Sequence, residues 1–201
     1  MAAAAAHVDD HHHGPPEANR SSRVEPAFLG MLLFIISEVM IFGAFFTAYF
    51  FIRVVGGAEW PADGDHLPKL IAGFNTAILI SSSFTIHYAQ ESIRKDNRLG
   101  LQLGMVATFL LGLTFLFVQI NEYVHVGFSP QDSAQGSIFY GLTGLHGAHV
   151  TIGLMLLAFV TIRSFRGHFS AESYRGMEIP GIYWHFVDVM WIVVFLSVYV
   201  L

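Results

Sequence analysis

Polar side chains that could do chemistry stand in three groups inside long apolar stretches. Glu38 follows Ser37, and no other charge lies between Glu25 and Arg53. Gln119 and Glu122 close a second apolar stretch, and His146 and His149 lie within a third; these four form the second group. His185 and Asp188 form the last. Each pair spaced by three falls on one face if its stretch is helical. An ionised carboxylate in the middle of a membrane costs at least about 2–3 kcal/mol. Glu38 must therefore face protein or water, pair with a partner, or keep its proton.

Four chemistries suit these residue types. Glu122, His146 and His149 could hold a metal, although carboxylate-bridged di-metal bundles use more acidic ligands. A histidine within a span could be a haem ligand. Glu38 could pass protons. The plainest reading is that all three groups are interhelical hydrogen bonds and ion pairs that fix a bundle. The residues alone leave these open.

The elements that must position them are apolar throughout. The 201 residues are 54% hydrophobic and only 12% charged, against about 25% charged in an ordinary soluble domain. Five segments, near 26–55, 67–90, 99–121, 137–162 and 179–201, are each long enough to cross a hydrocarbon core of about 30 Å. The backbone must satisfy its own hydrogen bonds there, so the fold class is all-α: an integral membrane bundle of five transmembrane helices. Residues 26–201 form one membrane domain. Residues 1–25, with an alanine run and His11-His12-His13, read as a disordered tail. The chain contains no cysteine, which excludes disulfides and thiolate metal sites.

Lysine and arginine set the orientation. Arg20 and Arg23, then Arg94, Lys95 and Arg98, then Arg163, Arg166 and Arg175 fall on alternate connections. The positive-inside rule places the N-terminus in the cytoplasm and the C-terminus on the outer face. By depth, Glu122 and the two span-four histidines belong to the outer half, and Glu38, His185 and Asp188 lie nearer the middle. Gly100 with Gly104, and Gly141, Gly144 and Gly147, stand at spacings that let helices approach closely. Aromatic residues crowd the first and last spans, from Phe42 to Phe51 and from Tyr183 to Trp191. They read first as packing, with a lipid-lined groove as the alternative.

Taken together, these motifs resemble one family. Tyr183-Trp184-His185-Phe186-Val187-Asp188-Val189-Met190-Trp191 is similar to the last-helix signature of cytochrome c oxidase subunit III. Gly144-Leu145-His146-Gly147-Ala148-His149-Val150 resembles its preceding helix, and Ser37-Glu38-Val39 its glutamate-bearing helix. Asn75-Thr76, Asn97-Arg98, Gln119 and Glu122-Tyr123 match in order and spacing. The resemblance runs from about Ala27 to Leu201. Many members of the family have seven spans, so this chain looks like the short, five-span bacterial form.

The resemblance implies a core subunit without a catalytic centre or metal of its own. Such a chain packs beside subunit I, which holds the haems and copper that reduce oxygen to water. It supports the stability and proton uptake of a proton-pumping complex in the bacterial plasma membrane. Subunit II, cytochrome c as electron donor, and membrane lipid are the expected partners, with a bound phospholipid as candidate ligand; no nucleic acid is expected. The siblings are subunit III of a quinol oxidase and a nitric oxide reductase accessory protein. Glu38 is expected to be buried and to hold its proton. Gln119, Glu122, His146 and His149 are expected to form an interhelical cluster near the outer side. Trp184, His185, Asp188 and Trp191 are expected to pack span five into the bundle.

Overall fold

A computed structural model describes residues 26–57, 67–167, 169 and 174–201. The tail at 1–25 lies outside the described residues. Five helices follow in order: α1 (Pro26–Phe50), α2 (Lys69–Arg94), α3 (Arg98–His125), α4 (Ala134–Phe165) and α5 (Arg175–Phe195). One turn of π-helix extends α1 (Phe51–Val55) and another extends α5 (Leu196–Val200). All five are long and apolar enough to span a membrane. Successive helices run in opposite directions. The start of α1, the α2–α3 turn and the start of α5 therefore share one end, here the N-side. The α3–α4 turn and Leu201 lie at the other, the C-side.

Short polar residues set the helix ends. Between α2 and α3, Asp96 takes a left-handed φ of 55°, a conformation that Asp tolerates better than most residues. Asn97 then caps α3, its side-chain oxygen accepting from the Gly100 amide at 3.0 Å. Ser133 caps α4 in the same way through Gly136, at 2.9 Å. That cap starts α4 at Ala134, and the helix continues to Phe165, longer at both ends than the apolar stretch at 137–162.

Packing follows the small residues unevenly. α2 and α3 make the most extensive contact, because Gly104 lets the helices touch: a Cβ there would lie 2.7 Å from the Ala89 Cβ and 2.9 Å from the Thr85 oxygen. Gly141 lies against Phe45 of α1, but Gly144 and Gly147 face nothing within 4 Å. Among the described residues, the glycine run of α4 therefore serves helix packing only at its first member.

α5 is the most buried helix and α1 the least. Trp184 explains much of α5's position. Its ring slots between Gly112 of α3 and Gly153 of α4, where added Cβ atoms would lie 2.5 and 2.9 Å from ring carbons. Its Nε1 donates to Ser82 Oγ of α2 at 2.8 Å. One side chain thus touches three helices. Trp191, two turns on, donates Nε1 to Thr76 Oγ1 of α2 at 2.9 Å.

Candidate functional site

α1 carries one charged residue in Pro26–Phe50, and the structure shows where it goes. Glu38 Oε2 lies 2.7 Å from His149 Nε2 of α4. Their side chains are 14% and 8% exposed, so the pair is nearly closed to the surroundings. Phe42 and Phe186 flank the imidazole, with centroids 5.0 and 6.3 Å away. The depths agree. Glu38 stands about 18 Å along α1 and His149 about 22 Å along α4 at 1.5 Å per residue, each near the middle of its span.

The second ring nitrogen fixes the proton inventory. His149 Nδ1 lies 2.7 Å from the Leu145 carbonyl oxygen. A carbonyl only accepts, so Nδ1 carries a hydrogen. One proton then remains for the contact between Nε2 and Oε2. It makes either a carboxylic acid on a neutral imidazole or a carboxylate on an imidazolium; both are neutral overall. The proton expected on Glu38 thus lies in a contact with a partner from another helix, on Glu38 in the first state and on His149 in the second.

The expected cluster of Gln119, Glu122, His146 and His149 divides among three places. His149 belongs to Glu38. Glu122 lies three residues from the end of α3, nearer the C-side than His149. Its Oε1 accepts from the Tyr199 hydroxyl at 2.6 Å, while a cavity of about 300 Å³ at Pro68, Asn121 and His125 opens beside it. Gln119 is buried one turn before it. His146 is fully buried between aromatic rings, 4.7 Å from the Trp191 centroid and 5.6 Å from that of Phe115. The division has a simple cause: pairing needs equal depth and facing helix sides, and spacing along one helix supplies neither. It also removes the convergence that a metal held by Glu122, His146 and His149 would require. Among the described residues, no group of three His, Asp or Glu side chains is placed to hold a metal.

His185 and Asp188 both meet Ser83 of α2. The Ser83 hydroxyl donates to Asp188 Oδ2 and lies 3.2 Å from His185 Nδ1. Ser82 and Ser83 thus receive Trp184 and Asp188 from the same helix, α5. Sequence reasoning passed over both, although Ser81-Ser82-Ser83 is an unusual polar run inside an apolar span.

A second tie on α1 was also missed. Arg53 Nη1 donates to the Tyr49 hydroxyl at 2.7 Å and to the Ser197 carbonyl at 3.3 Å, and Nη2 donates to the Leu201 oxygen. The Tyr49 hydroxyl itself donates to the Ser197 carbonyl at 2.7 Å. The four-residue spacing of Tyr49 and Arg53 was the available signal. The outermost helix is thus held by polar bonds at mid-depth and at its C-side end, with Phe42 wedged between them.

Residues 17–201 match the family described as cytochrome c oxidase subunit III. Among curated proteins, cytochrome c oxidase subunit 3 of Thermostichus vulcanus is 41% identical over 174 residues, covering 86% of each chain. That of Synechocystis is 43% identical over 192 residues, covering 94% of this chain and 78% of the relative. The rabbit protein of the same name is 38% identical over 176 residues, covering 85% of this chain and 67% of the relative. The five spans, the glutamate helix and the last-helix signature all lie within the matched residues, and the chain belongs to the cytochrome c oxidase subunit III family.

Proposed function

We propose that this chain is a non-catalytic core subunit of a proton-pumping cytochrome c oxidase in the bacterial plasma membrane. It packs beside subunit I and supports that chain's stability, proton uptake and reduction of oxygen to water. Subunit II completes the core, and cytochrome c is the electron donor. Haem and copper belong to the partner chains, and membrane lipid covers the apolar surface.

The observation that carries the reading is how the buried polar groups are used. Glu38–His149, Asp188–Ser83, Glu122–Tyr199, Trp184–Ser82 and Trp191–Thr76 each join two different helices. Polar side chains directed at one another across helices hold a bundle; a redox centre needs them directed at a common point. The bundle meanwhile leaves a broad apolar face on α1, where Phe34, Val39, Met40 and Ile41 are all exposed. Lipid and a neighbouring subunit are the surroundings that suit such a face.

Within this role, Glu38 and His149 form the clasp that holds α1, and their shared proton is the part of the site able to exchange with a neighbouring chain. Isolating the complex through a tag on this chain tests the role. The expected result is haem- and copper-bearing partners by mass spectrometry and no haem absorbance from the chain alone.

A further inference from the structure

We propose that Asp188 is a proton-exchanging carboxyl that communicates with the N-side surface through Ser83 and His185. Three observations place it. Asp188 is 4% exposed and stands about 20 Å along α5 at 1.5 Å per residue, deep in the bundle. Its Oδ2 accepts from Ser83, whereas its buried Oδ1 has no partner, and the carboxyl joins no ion pair among the described residues. His185, whose Nδ1 lies 3.2 Å from the same Ser83 hydroxyl, lines a cavity of about 300 Å³ at the N-side end.

A buried carboxyl keeps a full negative charge only where both oxygens are satisfied or a cation stands beside it. Asp188 has one donor and no cation, so its charge is balanced by a proton. That proton needs a route through an otherwise apolar interior. The Ser83 hydroxyl touches both Asp188 and His185, and the remaining walls of the cavity are Phe28, Gln90, Arg94, Glu178 and Ile182. Polar and charged groups there mark it as reachable from the aqueous side.

The transfer balances without any co-reactant. When Asp188 has released its proton, a proton from the cavity binds His185 and makes the ring an imidazolium. Its Nδ1 proton passes to Ser83 Oγ as the Ser83 hydroxyl proton passes to Asp188 Oδ2. A neutral imidazole and a carboxylic acid result, and rotation of the hydroxyl resets the chain; the reverse order returns the proton. Among the described residues, the charged and titratable groups near the route are His87 of α2, and Arg94 of α2 with Glu178 of α5, which lie 3.7 Å apart at the cavity wall. α1 contributes the uncharged Phe28. The chain thereby stores one proton at mid-depth, apart from the one shared by Glu38 and His149.

Infrared spectroscopy of the purified complex tests this. Spectra at stepped pH should contain a carboxylic acid C=O band that is lost in Asp188→Asn and displaced in Asp188→Glu. Transfer to D₂O should shift the band. Ser83→Ala and His185→Phe should each slow that shift about a hundredfold, the low end of what a positioned proton-transfer group contributes, and Ser83→Thr should keep the wild-type rate. Should Ser83→Ala fail to assemble, His185→Phe reads the same route. The proposal is overturned if no band depends on residue 188, or if the exchange rate is unchanged in the variants that block the route.

Discussion

Glu38 on the outermost helix and His149 on α4 meet at 2.7 Å near mid-membrane, and the Leu145 carbonyl on the other ring nitrogen leaves them one proton to share. The charge problem of α1 is thus solved by another helix. Removing either partner strands the other among Phe42, Phe186 and lipid-facing side chains.

A double-mutant cycle measures this tie. His149→Leu and Glu38→Leu should each destabilise the bundle, and the double variant should lose less than the sum. The coupling should fall between about 0.6 and 1.7 kcal/mol, the average and the maximum for interhelical hydrogen bonds in a membrane bundle. Retention of the chain in the complex under rising detergent provides a parallel readout. Strict additivity would show that the two residues do not interact.

Glu38→Gln separates the structural role from the proton role. An amide can still donate to His149 Nε2, so assembly should remain normal. The variant cannot exchange a proton, so proton uptake or the lifetime of turnover in the purified complex should change. If both stay at wild-type values, the exchange role is wrong and the clasp role stands.

Trp184 should tolerate neither a filled slot nor a lost donor. Gly112→Val and Gly153→Val should each cost about 1–3 kcal/mol through overpacking. Trp184→Phe should cost about 1–2 kcal/mol, since it leaves a space and removes the donor to Ser82. Gly144→Ala, with nothing within 4 Å, should be neutral in the isolated chain. Thermal unfolding in detergent ranks these variants; a Gly144→Ala cost equal to that of Gly112→Val would contradict the packing.

Arg53→Met should loosen one place only. It removes the donors to Tyr49, Ser197 and Leu201 while the buried Phe42 and the Glu38–His149 pair remain. Amide exchange should accelerate in Phe51–Val55 and Leu196–Val200 and stay unchanged around Trp184, as expected of a local opening. Acceleration throughout α5 would mean that the tie supports the whole bundle.

The five spans were legible because apolar length is a property of each segment alone. The α2–α3 turn was legible because Arg94-Lys95-Asp96-Asn97-Arg98 cannot stay in hydrocarbon. The pairings were not, because they depend on each helix's rotation and height. His149 illustrates this: its depth in the apolar stretch suggested a common outer cluster with Glu122, yet α4 begins at Ala134 and carries His149 to the depth of Glu38. The serines of α2 illustrate the other half. Ser82 and Ser83 are adjacent in sequence and serve different side chains of α5, which only the packed structure reveals. The last-helix signature marked Trp184, His185, Asp188 and Trp191 by resemblance, without indicating that their partners stand on α2.

In its proposed role this chain supports a redox centre held by its neighbours. Affinity isolation through a tag on this chain, with mass spectrometry and an absorbance spectrum on the same sample, tests it most directly. The expected result is a complex containing a chain that binds haem and copper, and a colourless spectrum once this chain is separated from it. Haem absorbance retained by the separated chain, or isolation without any haem-copper partner, would contradict it.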